Sequence, residues 1–402
     1  MGTTYRVGSK ARGRMWTGAA AGMVLGYGAI RTWDAYRQMR EPAPPLERPD
    51  PAAYAAARRA LSLAGTARSI ASMGLTAFLL ADPLERAVQR VPGALRAPAF
   101  ISALALIDTL RDLPVDFVEA YGLERAFGTS EQSARSWLAD HGKATAVGVG
   151  VSAVLGALGE ALVRRAPRAW PWLAIGTTPI LLTLANVIAP TYVMPLFNEY
   201  TALEGSLERN IRELAARYGV GDAAILRFDM SRQTKKANAF VTGVFGTKRI
   251  ALADTLIEKF PEDETLFVVA HELGHYVRKD PWVSIVLGTA FLAVTIVLAN
   301  AALRASGRSF RTAADGARFA FYGTVISTLG SPLMLAASRA IERRADEFAV
   351  QATHDPRSGA RAFRRLRDQN LAEEEAPKWA ELLLSSHPSL RSRIERLESI
   401  AN

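Results

Sequence analysis

Seven apolar blocks, separated by charged segments, dominate the pattern of this 402-residue chain. A transmembrane helix needs about 20 mainly apolar residues, and each block is close to that length. The blocks at 170–189 and 281–303 contain no charged residue. The pattern predicts a mainly α-helical integral membrane protein with about seven transmembrane helices, at residues 15–32, 61–81, 97–118, 145–163, 170–189, 281–303 and 317–337.

The first block is short and glycine-rich, so a signal peptide is its competing interpretation. Arg14 and Arg31 flank the block, and no clean small-residue cleavage site follows it. We therefore favour a retained span, joined to the rest of the chain by the proline-rich linker Glu41–Pro51.

The third block is unusual because it contains four charged residues and a proline. A helix facing lipid would not tolerate these charges, which at membrane depth face a protein interior or a water-filled cavity. The alternative is that the span ends near residue 107 and the charges lie in the headgroup layer. Both interpretations remain open for Asp108, Arg111, Asp112 and Asp116.

The charged segments divide the chain into two predicted domains. Residues 1–190 form an N-terminal membrane domain with five spans. Residues 191–402 form a second domain, which contains the last two spans, at 281–303 and 317–337. That second domain also includes a polar stretch before these spans and a charged, mostly helical tail after them.

The polar stretch before residue 281 mixes helical and strand patterns, which predicts a small α/β unit. Leu203–Tyr218 has helical apolar spacing and ends at a glycine. Short apolar runs predict strands, the last two joined as a hairpin, at Ile225–Met230, Asn238–Val244 and Ile250–Ala253. A helix then opens at Pro261, with acidic residues in its first turn that suit the helix dipole.

Composition narrows the chemistry. The net charge is +10, with much of the arginine beside apolar blocks, which indicates contact with anionic lipid headgroups. No nucleic-acid-binding pattern accompanies the charge, so we expect no nucleic-acid partner. The chain has no cysteine, which excludes disulfides and thiolate ligands. Any transition metal must therefore be held by histidine and carboxylate groups.

The segment HELGH carries the first candidate site. His271 and His275 are four residues apart on the predicted helix, so both imidazoles project from one face and can reach one ion. Glu272, beside them, can address a water on that ion without being a ligand. This is the arrangement of the H-E-x-x-H zinc motif. The alternative, two surface histidines on an amphipathic helix, is improbable in a chain with five histidines.

A catalytic zinc site needs a third protein ligand. The last two predicted spans return the chain to the membrane face that it left, so Glu342 lies on the same side as His271. Asp346 follows four residues later and faces the same way. We assign Glu342 as the third ligand and Asp346 as the acceptor for a ligand imidazole. The alternative is a solvated helix on which both acids pair with neighbouring arginines.

A final polar motif contains His387 and Arg393. A His-Pro pair at a helix start is often only a cap, but here it could supply a donor for a tetrahedral oxyanion, with the arginine nearby. His141 and His354 have no such context and are interpreted as structural.

Four motifs together resemble the type I CaaX prenyl endopeptidases, which are multi-pass membrane zinc metalloproteases of the gluzincin kind. They are HELGH at 271–275, ERRAD at 342–346, NAFVTG at 238–243 and SHPSLRSR at 386–393. The resemblance covers nearly the whole chain, including five spans before the zinc motif and two after it. It implies a barrel of seven helices around a water-filled chamber, closed by a zinc metallopeptidase domain.

The resemblance also implies roles for individual residues. One Zn²⁺ per chain is implied, with ligands and general base as assigned above. The implied substrate-binding strand begins at Asn238, Ala239 and Phe240, although a buried hairpin strand would show the same pattern. His387 and Arg393 fall on the oxyanion side. The family often has an aromatic-glutamine pair after its ligand glutamate, but this chain has two arginines there, which leaves substrate preference open.

The predicted activity is membrane-embedded peptide-bond hydrolysis, similar to the trimming of C-terminal tails by CaaX prenyl proteases. Zinc activates a water, Glu272 takes its proton, and the leaving amine receives it. Three alternatives are a quality-control protease for membrane proteins, an intramembrane-cleaving protease, and a transporter with a structural zinc. Five spans ahead of the motif favour the first activity over the quality-control type.

The expected partners are a peptide or protein substrate, lipidated or not, and membrane lipids. Heavy use of alanine, glycine and arginine indicates a bacterial chain, in which prenylated tails are not expected. The expected location is the bacterial cytoplasmic membrane. Seven spans place the zinc site on the side of the C-terminus, and the basic residues there favour the cytoplasmic face.

Overall fold

The computed structural model describes residues 49–402 of the chain. The first apolar block and most of the linker Glu41–Pro51 lie outside the described residues. Within them, five helices are long and apolar enough to cross a membrane. They span Pro51–Val88, Ala134–Arg165, Trp170–Leu196, Asp280–Ala305 and Ala313–Thr353.

The membrane part is built from six main helical elements. The first apolar segment consists of α1, a π-helical turn and α2, without a break in the helical path. The elements are α1 (Pro51–Leu75), α2 (Ala81–Val88), α3 (Arg96–Asp116), α4 (Leu123–Ala126), α5 (Ala134–Arg165) and α6 (Trp170–Ile188).

The third predicted block forms α3, a helix that is too charged to count among the five candidate spans. Its charges pair with one another and with Arg68, which lies about midway along Pro51–Val88. Arg68 contacts Asp112 at 2.8 Å, and Arg111 contacts Asp108 at 2.9 Å. These four side chains keep between 20% and 34% of their surface exposed. Paired charges midway along a span favour a protein interior or cavity over the headgroup layer.

The polar segment after α6 forms a small mixed unit. It contains β1 (Tyr200–Ala202), α7 (Ser206–Arg217), β2 (Ala224–Phe228), β3 (Ala239–Thr242), β4 (Arg249–Ala253), α8 (Asp254–Lys259) and α9 (Glu262–Val277). The strands lie in the order β1-β2-β4-β3. The predicted β3–β4 hairpin is present, with Ala239 opposite Leu252. The structure adds β1 and a parallel pairing of β2 with β4, so β3 forms one edge of the sheet.

The remaining helices carry the chain back to the sheet. They are α10 (Asp280–Ala305), α11 (Ala313–Thr353), α12 (Pro356–Gln369), α13 (Lys378–Leu384) and α14 (Leu390–Ala401). The predicted span 317–337 continues without interruption into the tail, because α11 is a single helix of 41 residues. At a rise of 1.5 Å per residue, α11 is about 60 Å long, roughly twice the hydrocarbon thickness of a bilayer.

Helix α9 lies at the centre of the hydrophobic core outside the membrane bundle, packed against the sheet, α11 and α12. Phe267, Val269 and Leu273 on α9 are fully buried. Gly274 allows α11 to approach, because a Cβ there would lie 3.0 Å from the ring of Phe348. Gly274 occupies one of the two unspecified positions of the H-E-x-x-H motif. In this chain the close packing of α9 against α11 favours glycine there.

We expect Gly359→Ala to destabilise the protein, since its added Cβ would lie 2.4 Å from the ring of fully buried Phe267. Overpacking of this kind costs about 1–3 kcal/mol. Thermal unfolding in detergent should show a lower midpoint. Gly142→Ala is the matched control, because nothing lies within 4 Å of its Cβ position on α5. Equal midpoints for the two variants would contradict the proposed packing.

Candidate active site

The HELGH residues lie in the last two turns of α9. The helix ends at Val277, and Lys279 adopts a left-handed conformation with φ 60°. This turn allows the next membrane helix, α10, to begin at once with Asp280. The candidate site therefore lies within two turns of a membrane span.

Three side chains meet at this point. One ligand atom each from His271, His275 and Glu342 lies within 4.8 Å of the others. Nε2 of His271 is 3.2 Å from Glu342 Oε2, and Nε2 of His275 is 3.6 Å from Glu342 Oε1. Glu342 Oε2 is buried and has no hydrogen-bond partner within residues 49–402. Buried polar atoms are nearly always satisfied, so this oxygen and the two imidazoles fit a bound cation.

Both imidazoles are held from behind by carboxylates. Nδ1 of His271 lies 2.9 Å from Asp346 Oδ1, and Nδ1 of His275 lies 3.0 Å from Asp280 Oδ2. Asp280 and Asp346 are both buried. An acceptor at Nδ1 fixes the tautomer that leaves Nε2 free to bind a metal. Each histidine therefore presents its Nε2 toward Glu342.

Arg393 secures the carboxylate behind His271. Its Nε and Nη2 donate to the two oxygens of Asp346 at 2.9 and 2.6 Å, a bidentate pair. Its guanidinium also lies over the ring of Phe363 at 4.0 Å and is 9% exposed. Nη2 reaches to 3.9 Å from Glu342 Oε2, at the edge of the site. The structure thus gives this arginine a clear partner, Asp346, in addition to its place beside Glu342.

The electrostatics of the site follow from burial and from these carboxylates. Burial alone would lower the pKa of His271, but the carboxylates of Asp346 and Glu342, which face its two ring nitrogens, outweigh burial and raise the pKa to about 9. Burial raises the pKa of Glu272, while the neighbouring imidazoles act in the opposite direction. The site therefore attracts positive charge strongly, and Glu272 is a stronger proton acceptor than a solvated glutamate.

His387 also lies beside Glu342. Its Nε2 is 3.3 Å from Glu342 Oε1, and its Nδ1 contacts the hydroxyl of Ser386 at 2.8 Å. The loop that carries His387 is held by Arg339 of α11, whose Nη1 donates to the carbonyls of residues 381 and 385 at 2.9 and 2.7 Å. One turn of α11 separates Arg339 from Glu342.

The predicted substrate-binding residues begin the edge strand. Asn238 is exposed, Ala239 is buried and Phe240 is half-buried. The carbonyl of Asn238 accepts from the amide of Ala253 at 3.0 Å, which continues the ladder with β4. No described strand pairs with the other edge of β3, which also packs against α9. A free strand edge beside the motif helix is where an extended peptide can add as a further strand.

Comparison with known proteins decides the family. Residues 201–401 match the model of peptidase family M48, and residues 51–199 match the model described as CAAX prenyl protease N-terminal, five membrane helices. The chain belongs to peptidase family M48. This M48 member is a membrane metalloprotease, and the resemblance to CaaX prenyl endopeptidases predicted from its motifs is confirmed.

Individual relatives agree with this assignment. The metalloprotease YhfN of Bacillus subtilis is 28% identical over 77% of this chain and 74% of its own. The CAAX prenyl protease 1 homolog of Oryza sativa is 31% identical over 75% of this chain and 72% of its own. The crystal structure of S. mikatae Ste24p matches with a TM-score of 0.73 over 93% of this chain and 96% of that chain. At 24% identity, that match shows the fold.

Sequence reasoning missed two residues of this site. Asp280 lies one residue before the predicted span 281–303, where an acid also suits a helix start. Its spacing of five residues from His275 was the available signal, since a turn between two helices brings such positions together. Arg339 had no signal, because its acceptors are backbone carbonyls that any sequence would provide.

Removing Asp280 should weaken metal binding while leaving all three candidate ligands in place. We expect Asp280→Ala to lower metal affinity by about 10–100-fold, because His275 loses the group that orients it. Asp280→Asn keeps a hydrogen-bond acceptor for His275, so its metal affinity should fall less than that of Asp280→Ala. Metal content after dialysis against graded chelator measures the affinity. Asp263→Ala, on the helix α9 that carries both histidines but in its first turn and away from them, is the control, and equal retention in all variants would exclude this role.

Proposed function

We propose that this M48 protease uses one Zn²⁺, held by His271, His275 and Glu342. The observation that carries the proposal is that both Nε2 atoms face Glu342 while both Nδ1 atoms are held by buried carboxylates. Two histidines and one glutamate form a ligand set used by zinc peptidases, with a fourth position left for water. Zinc in such a site supplies Lewis-acid polarisation of a carbonyl and activation of water.

Glu272 is the proposed general base. It follows His271 by one residue, which turns it about 100° around the helix axis, away from the shared direction of the two histidines. Its carboxylate is therefore placed beside the ligand cluster and not within it. Because burial raises its pKa, it can accept a proton from water and later deliver that proton to the leaving amine.

His387 is the proposed donor to the developing oxyanion. Its Nε2 already lies at the ligand cluster, and 58% of its side chain is exposed, so a substrate can reach it. Arg393 was predicted to share this task. Its bidentate contact with Asp346 supports a further role, in which it keeps the acceptor behind His271 in position.

The proposed substrate is a peptide that binds in extended form along the free edge of β3, beginning at Asn238, Ala239 and Phe240. Several relatives are called CAAX prenyl protease 1, which supports a C-terminal tail, lipidated or not, as the segment that is cut. Arg343 and Arg344 follow the proposed ligand Glu342 and are exposed.

The proposed architecture is a seven-helix barrel around an aqueous chamber, with the division into domains at residues 190 and 191. Five candidate spans, the charged helix α3 and the first apolar block together give seven. A small α/β zinc-protease unit closes the chamber, and membrane lipids surround the barrel. The basic polar segments support a cytoplasmic site in a bacterial membrane.

Glu272→Gln tests the proposed mechanism. The change keeps size and hydrogen bonding but removes basicity, so hydrolysis of a test peptide should fall by at least about 100-fold. Zinc content and thermal stability should stay close to those of the parent, because no ligand is lost. Glu342→Ala is the contrasting variant, which should lose both zinc and activity. Parent-like cleavage by zinc-loaded Glu272→Gln would require a different base.

A cysteine scan tests the chamber, and the chain offers a clean background because it has no cysteine. Asp108→Cys should react with a small, membrane-impermeant thiol reagent, since 34% of the Asp108 side chain is exposed beside other charges. Ile180→Cys is the control, because Ile180 is 60% exposed on an uncharged span and should face lipid. Equal protection of the two cysteines, measured by mass shift, would contradict an aqueous chamber.

A further inference from the structure

A cavity separate from the candidate metal site lies where the membrane domain meets the segment that leads into β3. Its volume is about 450 Å³, within the range of ligand-binding pockets. None of the proposed metal ligands lines it. Its walls come from the end of the charged helix region, the start of α5 and residues 233–236, and they include Tyr121, Trp137, His141 and Phe197.

One wall is aromatic. The rings of Trp137 and His141 stack with centroids 4.8 Å apart and an angle of 20° between their planes. Tyr121 lies 6.3 Å from Trp137, in a tilted arrangement. Stacked rings that line a cavity offer a broad face to another planar side chain.

The charged groups of the cavity are already compensated. Lys236 lies 2.7 Å from Glu124, and the hydroxyl of Tyr54 bridges the same two residues. Asp140 pairs with Arg232 at 3.0 Å and accepts further hydrogen bonds from glutamine side chains. Among the described residues that line the cavity, no unbalanced charge is left to attract an ion, so the cavity suits an uncharged guest.

His141 in the cavity wall has an unsatisfied hydrogen-bonding group. Its Nε2 is buried and has no hydrogen-bond partner among the described residues. A buried ring nitrogen without a partner is costly, and a guest that carries a hydroxyl or amide would satisfy it once a small rotation of the His141 ring opens Nε2 to the cavity. The aromatic wall and this nitrogen together fit a planar side chain with a hydrogen-bonding end, such as that of tyrosine.

Hydrogen bonds connect the walls of the cavity to the segment that leads into the edge strand β3. The segment before β3 is fixed to the membrane domain by Ser130 Oγ, which donates to the carbonyl of Gln233 at 2.6 Å, and by the amide of Lys235, which donates to Thr129 at 2.8 Å. Lys236 lines the cavity and lies two residues before Asn238. Two extended residues span at most about 7 Å, so a peptide on β3 needs only that length to arrive there.

We propose that this cavity is a substrate-recognition pocket for an uncharged aromatic residue with a polar end, in the part of the peptide that runs past the Asn238 end of β3. The inference rests on the proposed function, because it takes β3 as the strand that binds substrate. It assigns to Trp137 the stacking contact and to His141 the hydrogen bond. The bond that is cut lies at the metal site, and the pocket selects which peptide is presented there.

The first test compares peptides cut by the full-length enzyme in detergent. Each cut peptide is extended at either end by Gly-Tyr-Gly, Gly-Phe-Gly or Gly-Gly-Gly. The tyrosine extension should raise kcat/KM by about threefold to tenfold over the glycine extension at one end only. Trp137→Ala should abolish this preference. His141→Phe keeps a ring but removes the nitrogen, so it should abolish only the preference for tyrosine over phenylalanine.

The second test avoids changes to the aromatic wall. Ala144 lines the cavity and is exposed, so Ala144→Cys can be modified with a bulky maleimide. The label should weaken binding of the tyrosine-extended peptide to Glu272→Gln protein, measured by fluorescence anisotropy, by at least about fivefold. Labelled Ala139→Cys is the matched control, because Ala139 is an exposed residue of the same helix that does not line the cavity.

The outcomes separate the two ideas. If the parent cuts peptides but neither Trp137→Ala nor the label at residue 144 alters the choice between extensions, the pocket is not a substrate site and the proposed function stands. If the parent cuts no peptide, the proposed function fails. The pocket is then judged by binding alone, and unchanged binding after labelling at residue 144 overturns it.

Discussion

The site depends on one constraint, which is that each metal-facing imidazole must be held at its Nδ1 by a buried carboxylate. Asp346 and Asp280 meet this requirement for His271 and His275. Both acids belong to membrane helices, α11 and α10, whereas the histidines belong to α9. The helices therefore have to be packed correctly before the imidazoles can point at Glu342. In the proposed zinc site, metal binding would depend on this assembly of the membrane bundle.

Close packing makes this arrangement possible. Helix α9 contacts α11 at Gly274. Arg393 of the last helix donates hydrogen bonds to Asp346 and stacks over the ring of Phe363. An arginine in that position would be costly if it were buried alone, but its bidentate partner and the ring compensate it. The C-terminal helix thus belongs to the site as much as the motif helix does.

Much of this could be predicted from sequence. The HELGH spacing and the two spans between it and Glu342 were sufficient to bring three ligand candidates together. Strand order was not predictable, because the parallel pairing of β2 with β4 joins segments separated by a whole hairpin strand. The α3 charges were ambiguous because their partner, Arg68, lies on another helix. Pairing between distant segments is set by tertiary packing, which local periodicity does not encode.

The continuous helix α11 has a mechanical consequence. It contains Pro332, a residue that cannot donate the backbone hydrogen bond of a regular helix and so allows bending there. Glu342 lies ten residues beyond it, about 15 Å along the axis. A change of about 4° in helix direction at the proline would shift the Glu342 carboxylate by about 1 Å, a displacement that matters for catalysis. Because packing against neighbouring helices sets the tilt of such a helix, a rearrangement within the membrane bundle would be transmitted along α11 to Glu342.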